Sequence, residues 1–249
     1  MAGHSHWANI KHKKAANDAK KAKVITQMGR LIKGAIQVGG PDPDMNPRLR
    51  LAIQKAKAQN MTNDTIDRIL AKAKGESTSK PMEDLAYEGY AAGGVAVVVE
   101  AMTDNRNRTA PEIRKLFERG GGSMGAPGCV SWQFHEKALV AVNGSDEESV
   151  LEALLAGDAD AEDIESADGQ VCITAESNQY DVIQRALAQA DIEVTSADIA
   201  RIAENDCPID DLDTARTIQR LLDNLEDHDD VTAVYSNFSP SPDIVDQLD

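Results

Sequence analysis

VAVVVEAM, residues 95–102, is the run from which the fold is read. Four of its eight residues are valine and only Glu100 is charged, a composition that predicts a central β-strand. Leu85–Tyr90 predicts its hairpin partner, with Ala91-Ala92-Gly93-Gly94 as the turn. Downstream, Thr109–Arg119 reads as a helix closed by Gly120-Gly121-Gly122, and Cys129–Phe134 as a strand. The next block begins with a strand over 137–142 and a helix over 145–156. A strand pair follows, 161–166 and 170–174, around Asp168-Gly169. A helix over 178–190 and an extended segment over 192–202 end it. Residues 137–204 thus spell βαββαβ, the ferredoxin-like pattern. A last helix, 213–225, and strand, 231–238, form an incomplete unit, as does 83–135.

These two incomplete parts are expected to complete each other. The predicted fold is α+β and multidomain: an N-terminal helical bundle plus two ferredoxin-like α+β domains, one inserted in the other. The domains are 1–80, 81–136 together with 205–240, and the insert 137–204; residues 241–249, after Pro240, are expected to be a loose tail. Within 1–80 a helix is predicted over 17–38, with Ile25, Met28, Ile32 and Ala35 on its apolar face, stopped by Gly39-Gly40-Pro41. A second helix is expected from Pro47 to Ala58 with Asn46 as N-cap. A third runs over 63–74 with Ile66, Ile69 and Leu70 inward, and residues 75–81 form a polar linker.

Composition narrows the function. Hydrophobic residues make up 41% of the 249 and aromatics 4%, so Ala, Val, Ile and Leu must fill the cores. Cys129, Cys172 and Cys207 are far apart and form no zinc spacing, which suits buried thiols in a reducing cytosol. No apolar run approaches the ~20 residues of a membrane span, and the N-terminus has no apolar signal core. A cytoplasmic protein is expected. The net charge of −16 conceals a division. Residues 1–80 hold 12 lysines and four arginines against six acids, a net of +10; residues 81–249 carry −26. One cationic module on an anionic remainder points to nucleic acid.

The cationic segment His4–Lys23, HSHWANIKHKKAANDAKKAK, holds Lys11, Lys13, Lys14, Lys20, Lys21 and Lys23 against the single acid Asp18. Lysines against phosphates gain free energy by counterion release; the alternative is a solvated basic helix end. Trp7 either stacks on a base or tucks against the first helix. Arg30 and Lys33 fall largely off the apolar helix face. Arg48 and Arg50 lie at a helix start, where the dipole disfavours cations; either a phosphate partner or local pairing with Asp42 and Asp44 would compensate. A second basic constellation is Thr103–Thr109, TDNRNRT. Asn105, Arg106 and Arg108 there could form an anion site, or a capping turn with both arginines paired to nearby acids.

Enzyme motifs are weak. Gly121-Gly122-Ser123-Met124-Gly125 fits GxSxG, but a nucleophile elbow needs strand, turn, helix, and here the order is helix, turn, strand. There is no phosphate loop, no GxGxxG opening a helix and no HExxH. Acids such as Asp229 and Asp230 read as solvated. Without its initiator Met, Ala2-Gly3-His4 would bind Cu(II) or Ni(II) adventitiously.

MAGHSHWANIKHKK, GGPDPDMNPRLR, NMTNDTIDRIL, YEGYAAGGVAVVVE and TDNRNRT followed by GGGSMG together resemble the YebC/PmpR family, which includes the mitochondrial translational activator of cytochrome oxidase subunit I. His6 stands where many relatives have Lys, and Ser123 where the resemblance leads one to expect Asn. The resemblance implies three domains, no catalysis, and either a DNA-binding transcriptional regulator or a ribosome-associated translation factor. The N-terminal lysines, Arg48, Arg50 and the 105–108 loop would be its contact surface. The expected partner is therefore nucleic acid, DNA or ribosomal RNA, with the ribosome as the alternative. No membrane, catalytic residue, cofactor or functional metal is expected, and the chain is expected to be a monomer. An enzyme using a cleft between the α+β domains is the remaining alternative.

Overall fold

The computed structural model describes residues 21–75, 81–167, 169–245 and 247–248. In chain order the helices are α1 Lys21–Gly39, α2 Pro47–Ala58 and α3 Asn63–Gly75; then β1 Glu83–Tyr90, β2 Ala96–Thr103, α4 Arg106–Arg119 and β3 Ser123–Met124. There follow β4 Phe134–Asn143, α5 Glu147–Ala156, β5 Asp163–Ala167, β6 Gln170–Glu176, α6 Tyr180–Gln189 and β7 Val194–Ala203. The chain ends with β8 Cys207–Ile209, α7 Leu212–Glu226, β9 Val231–Ser236, β10 Phe238–Pro240 and α8 Pro242–Val245. It is a mixed α+β protein with N-terminal helices and antiparallel main sheets. The described residues divide into two compact units, 134–204 and the remainder.

Unit 134–204 has the strand order β5-β6-β4-β7, antiparallel throughout, as the βαββαβ pattern requires. Val140, Val142, Val171 and Ile173 are buried, as are Val150 and Leu154 of α5 and Ile183 and Leu187 of α6. At one end of β4, Lys137 lies opposite Glu176 in register and its Nζ reaches Glu162 and Glu176 Oε1, each at 2.6 Å.

In the other unit β1, β2, β3 and β9 form an antiparallel sheet in the order β3-β1-β2-β9. Its chain order begins with a hairpin, so it differs from βαββαβ. Val97 and Val99 of β2 share one core with Ile113 and Phe117 of α4 and Ile218, Leu221 and Leu225 of α7. On the opposite side α1 packs against β2 and β9, and Gly34, lacking a Cβ, meets the Met102 sulfur. Helices on both faces are why β2 can dispense with a polar side. The three helices bury Met28, Ile32, Leu49, Met61 and Ile66 among themselves, with Ile69 and Leu70 packed alongside. Asn46, itself buried, accepts from the Leu49 N–H at 3.1 Å and donates to the Ala35 and Gly40 carbonyls at 2.8 Å. It both caps α2 and ties it to α1.

Four further expectations change. Ile25, predicted to face inward, is 42% exposed. Cys129–Phe134 is not a strand: Ser131–Gln133 is a 3₁₀ turn. The buried Glu88 carboxylate accepts the N–H groups of Gly128, Val130 and Ser131 at 2.7–2.9 Å, so those donors are withdrawn from any ladder. The third strand is instead β3, pairing Gly89 with Met124. Helix α4 begins at Arg106, three residues before Thr109, because the Asn105 side chain caps it. The tail expected to be loose forms α8, with Ile244 buried and Leu248 packed on the same core. Most of the predicted linker, 76–80, lies outside the described residues.

Candidate nucleic-acid interface

The organising group is Asp230, in the turn between α7 and β9. Read from sequence as a solvated acid, it is 1% exposed. The adjoining apolar strand Val231–Ser236 was the one signal available, since it draws its first neighbour inward. Arg30 from α1 ion-pairs with Oδ1. On Oδ2, Arg108 Nη2 donates at 2.7 Å, the Thr109 hydroxyl at 2.6 Å and the Thr103 hydroxyl at 3.1 Å. The Asp230 carbonyl accepts from the Met102 N–H at 2.8 Å. Its own N–H donates to His228 Nδ1 at 3.1 Å, which leaves His228 Nε2 to donate to Glu112 at 3.0 Å. One buried carboxylate thus joins α1, β2, α4 and the start of β9. Charge-assisted bonds of this kind are roughly twice as strong as neutral ones.

This geometry decides which basic side chains are engaged. Burial pushes the Arg30 guanidinium down from its ordinary pKa; Asp229 opposes that and Arg108 adds to it. Arg108 is engaged by Asp230, with Asp104 at 3.6 Å, so TDNRNRT is in part a capping turn. Asn105 Oδ1 accepts from the Arg108 N–H at 3.3 Å, leaving its amide N–H groups as donors. Arg106, in the same first turn, is exposed and makes no ion pair among the described residues. Arg48 pairs with Asp84 rather than with Asp42 or Asp44, and Arg50 donates to the carbonyls of Pro43 and Asp44 at 3.3 Å, not to their carboxylates. Lys33 is half-buried on α1, and Lys21 and Lys23 fall in its first turn. Trp7, Lys11, Lys13, Lys14 and Lys20, like Ala2-Gly3-His4, lie outside the described residues.

Of the other candidate chemistry, Ser123 opens β3 after α4 and a glycine turn. The order helix, turn, strand is opposite to that of a nucleophile elbow. Among the described residues no helix is long and apolar enough to cross a membrane.

Comparison with known proteins places these features in a family. Residues 5–76 match the "TACO1/YebC protein N-terminal domain" and residues 82–238 the "TACO1/YebC second and third domain". The chain is similar to a "Probable transcriptional regulatory protein" of Halothermothrix orenii, 46% identical over 100% of this chain and 99% of that one. Another of that name, from Moorella thermoacetica, is 43% identical over the whole of both chains. A crystal structure of a conserved hypothetical protein from Aquifex aeolicus superposes with a TM-score of 0.83 at 40% identity, covering 97% of this chain and 99% of that one.

Proposed function

The chain belongs to the TACO1/YebC family, and on that premise we propose that it is a non-enzymatic, nucleic-acid-binding transcriptional regulator that grips DNA phosphates in the cytoplasm. The observation that carries the reading is the charge division: a net of +10 over residues 1–80 in a chain of −16. Lys11, Lys13, Lys14, Lys20, Lys21 and Lys23 supply phosphate contacts, with Lys33 further along α1, while Arg30 is held by Asp230. Arg50 and Arg106 extend the cationic surface, Arg48 and Arg108 being paired with Asp84 and Asp230, and Trp7 and the Asn105 amide are its base-contacting groups. Phosphate contacts set affinity and position; they carry no sequence information themselves. Relatives named probable transcriptional regulatory proteins support the DNA assignment.

The test is fluorescence anisotropy of a labelled DNA duplex across a salt series. Six lysine–phosphate contacts predict a log–log slope of about −5, at ~0.9 per contact, and replacing Lys11, Lys13, Lys14 and Lys20 by Gln should flatten most of it. A full-length chain whose binding ignores salt would defeat the proposal. A DNase-treated lysate run through a sucrose gradient separates DNA from ribosome: co-migration with ribosomal particles, lost at high salt, would move the target to ribosomal RNA.

A further inference from the structure

Half of the ten basic residues in 81–249 sit on one 14-residue helix: Arg106, Arg108, Arg114, Lys115 and Arg119 of α4, against two acids, Glu112 and Glu118. Most cations elsewhere in that stretch are engaged. Lys137 bridges Glu162 and Glu176, Arg201 pairs with Glu136, and Arg185 and Arg216 donate to the carbonyls of Asp181 and Gln247. On α4 the position is reversed. Arg106, Arg114 and Lys115 are exposed and make no ion pair or side-chain hydrogen bond among the described residues.

Arg106 and Arg114 share a side, and Lys115 lies about 100° further round the helix, beside Arg114. Arg106, Ala110 and Arg114 recur at four-residue steps, so they form one row along the helix, with the two guanidinium groups rooted about 12 Å apart at 1.5 Å per residue. Between them Ala110 and Pro111 keep the surface low. With Arg114, Lys115 and Glu118 they line a hollow of about 360 Å³. The acids of the 227–230 turn line a neighbouring hollow, on the flank of Arg108, Glu112 and Arg119, and Lys115 stands at the edge of both. The aromatic ring of α4, Phe117, is fully buried, so this face offers no aromatic platform on which an unpaired base could stack.

We propose that the Arg106–Ala110–Arg114 row and Lys115 form a second phosphate-contact surface, one that lies along the backbone of duplex DNA. This rests on the nucleic-acid reading above and adds α4 to the lysine-rich N-terminus. Small residues between spaced cations let a backbone approach, and the missing aromatic group favours duplex over single strand.

The test uses the full chain and the labelled duplex. Arg114→Gln with Lys115→Gln should make the salt slope shallower by about 1.8, at ~0.9 per contact, with the thermal melt unchanged. The matched pair Arg216→Gln and Arg220→Gln on α7 removes the same charge and should leave the slope alone. An unchanged slope in the α4 variant, while the N-terminal lysine variant loses binding, overturns the α4 surface and leaves the functional reading standing. Equal losses from the α4 and α7 pairs would make the effect bulk charge and overturn it too. A larger loss on a single strand than on the duplex overturns the duplex assignment. No salt-dependent binding by the unmodified chain defeats the functional reading itself.

Discussion

Replacing Asp230 by Asn removes one charge at constant shape, and the structure sets the size of the effect. The carboxylate takes an Arg30 ion pair on Oδ1 and three donors on Oδ2. An Asn side chain has one acceptor oxygen. If that oxygen faces Arg108, Thr103 and Thr109, its NH₂ meets the Arg30 guanidinium, donor against donor; the flipped amide makes the opposite conflict. Breaking one partner of a fully buried pair costs about 3–5 kcal/mol. Here Arg30 and Arg108 keep 23% and 43% side-chain exposure, and water recovers part of the loss. The expected destabilisation is about 2–3 kcal/mol, combining charged hydrogen bonds at ~1.5–3 kcal/mol with that relief. Trp132 lies in the same unit as Asp230 and is exposed. Urea unfolding followed by its fluorescence, with Trp7 replaced by Phe, should show an earlier midpoint at unchanged slope. Additivity of Asp230→Asn with Arg108→Gln in a double-mutant cycle, or a loss below about 0.5 kcal/mol, would refute the clamp, since surface substitutions already reach that size.

Other outcomes follow from single sites. Burial raises the Glu88 carboxyl's pKa, but the N–H groups of Gly128, Val130 and Ser131 outweigh it and hold it below the ordinary range. Its contribution is therefore complete at neutral pH and is lost as pH falls through that depressed value, so tyrosine and tryptophan fluorescence near the 128–131 turn should change in acid; Glu88→Gln should abolish that step and cost about 2 kcal/mol at neutral pH. Asn46→Ala removes a cap and two inter-helix bonds and should lower stability by about 2 kcal/mol by thermal melt, whereas Asn46→Asp should retain the cap alone. For Lys137, burial lowers the pKa, yet Glu162 and Glu176 together raise it above the ordinary value. The bridge is present at neutral pH and fades as pH rises through that raised value; Lys137→Met should cost no more than about 1 kcal/mol because Glu162 and Glu176 are exposed, and high salt should shrink the difference.

Where sequence reading succeeded, one interaction dominated locally. The valines of 95–102 predict a central strand because nearly every position is apolar, and Asn46-Pro47 predicts a helix start because both residues are favoured at its first positions. The βαββαβ order of 137–204 follows from periodicity and turn residues. The misreadings share a cause. Cys129–Phe134 has strand-like composition, but the Glu88 carboxylate, 42 residues before Val130, takes the Val130 and Ser131 N–H groups. Ile244 and Leu248 look like part of a short polar tail until the core they cover is known.

For the candidate interface, chain charge and its uneven distribution were determined by the sequence alone, because charge is additive and needs no geometry. The partition of that charge into engaged and exposed cations was decided only by tertiary structure. Arg30, Arg108 and Asp230 are separated by 78 and 122 residues, and nothing in their local sequence brings them together. Packing of α1 and α4 on the same sheet does so, burying one carboxylate between two guanidiniums while leaving Arg106, Arg114 and Lys115 on the outside of α4. Local periodicity fixes which face a side chain takes on its own element; which element meets it there depends on how the whole chain packs.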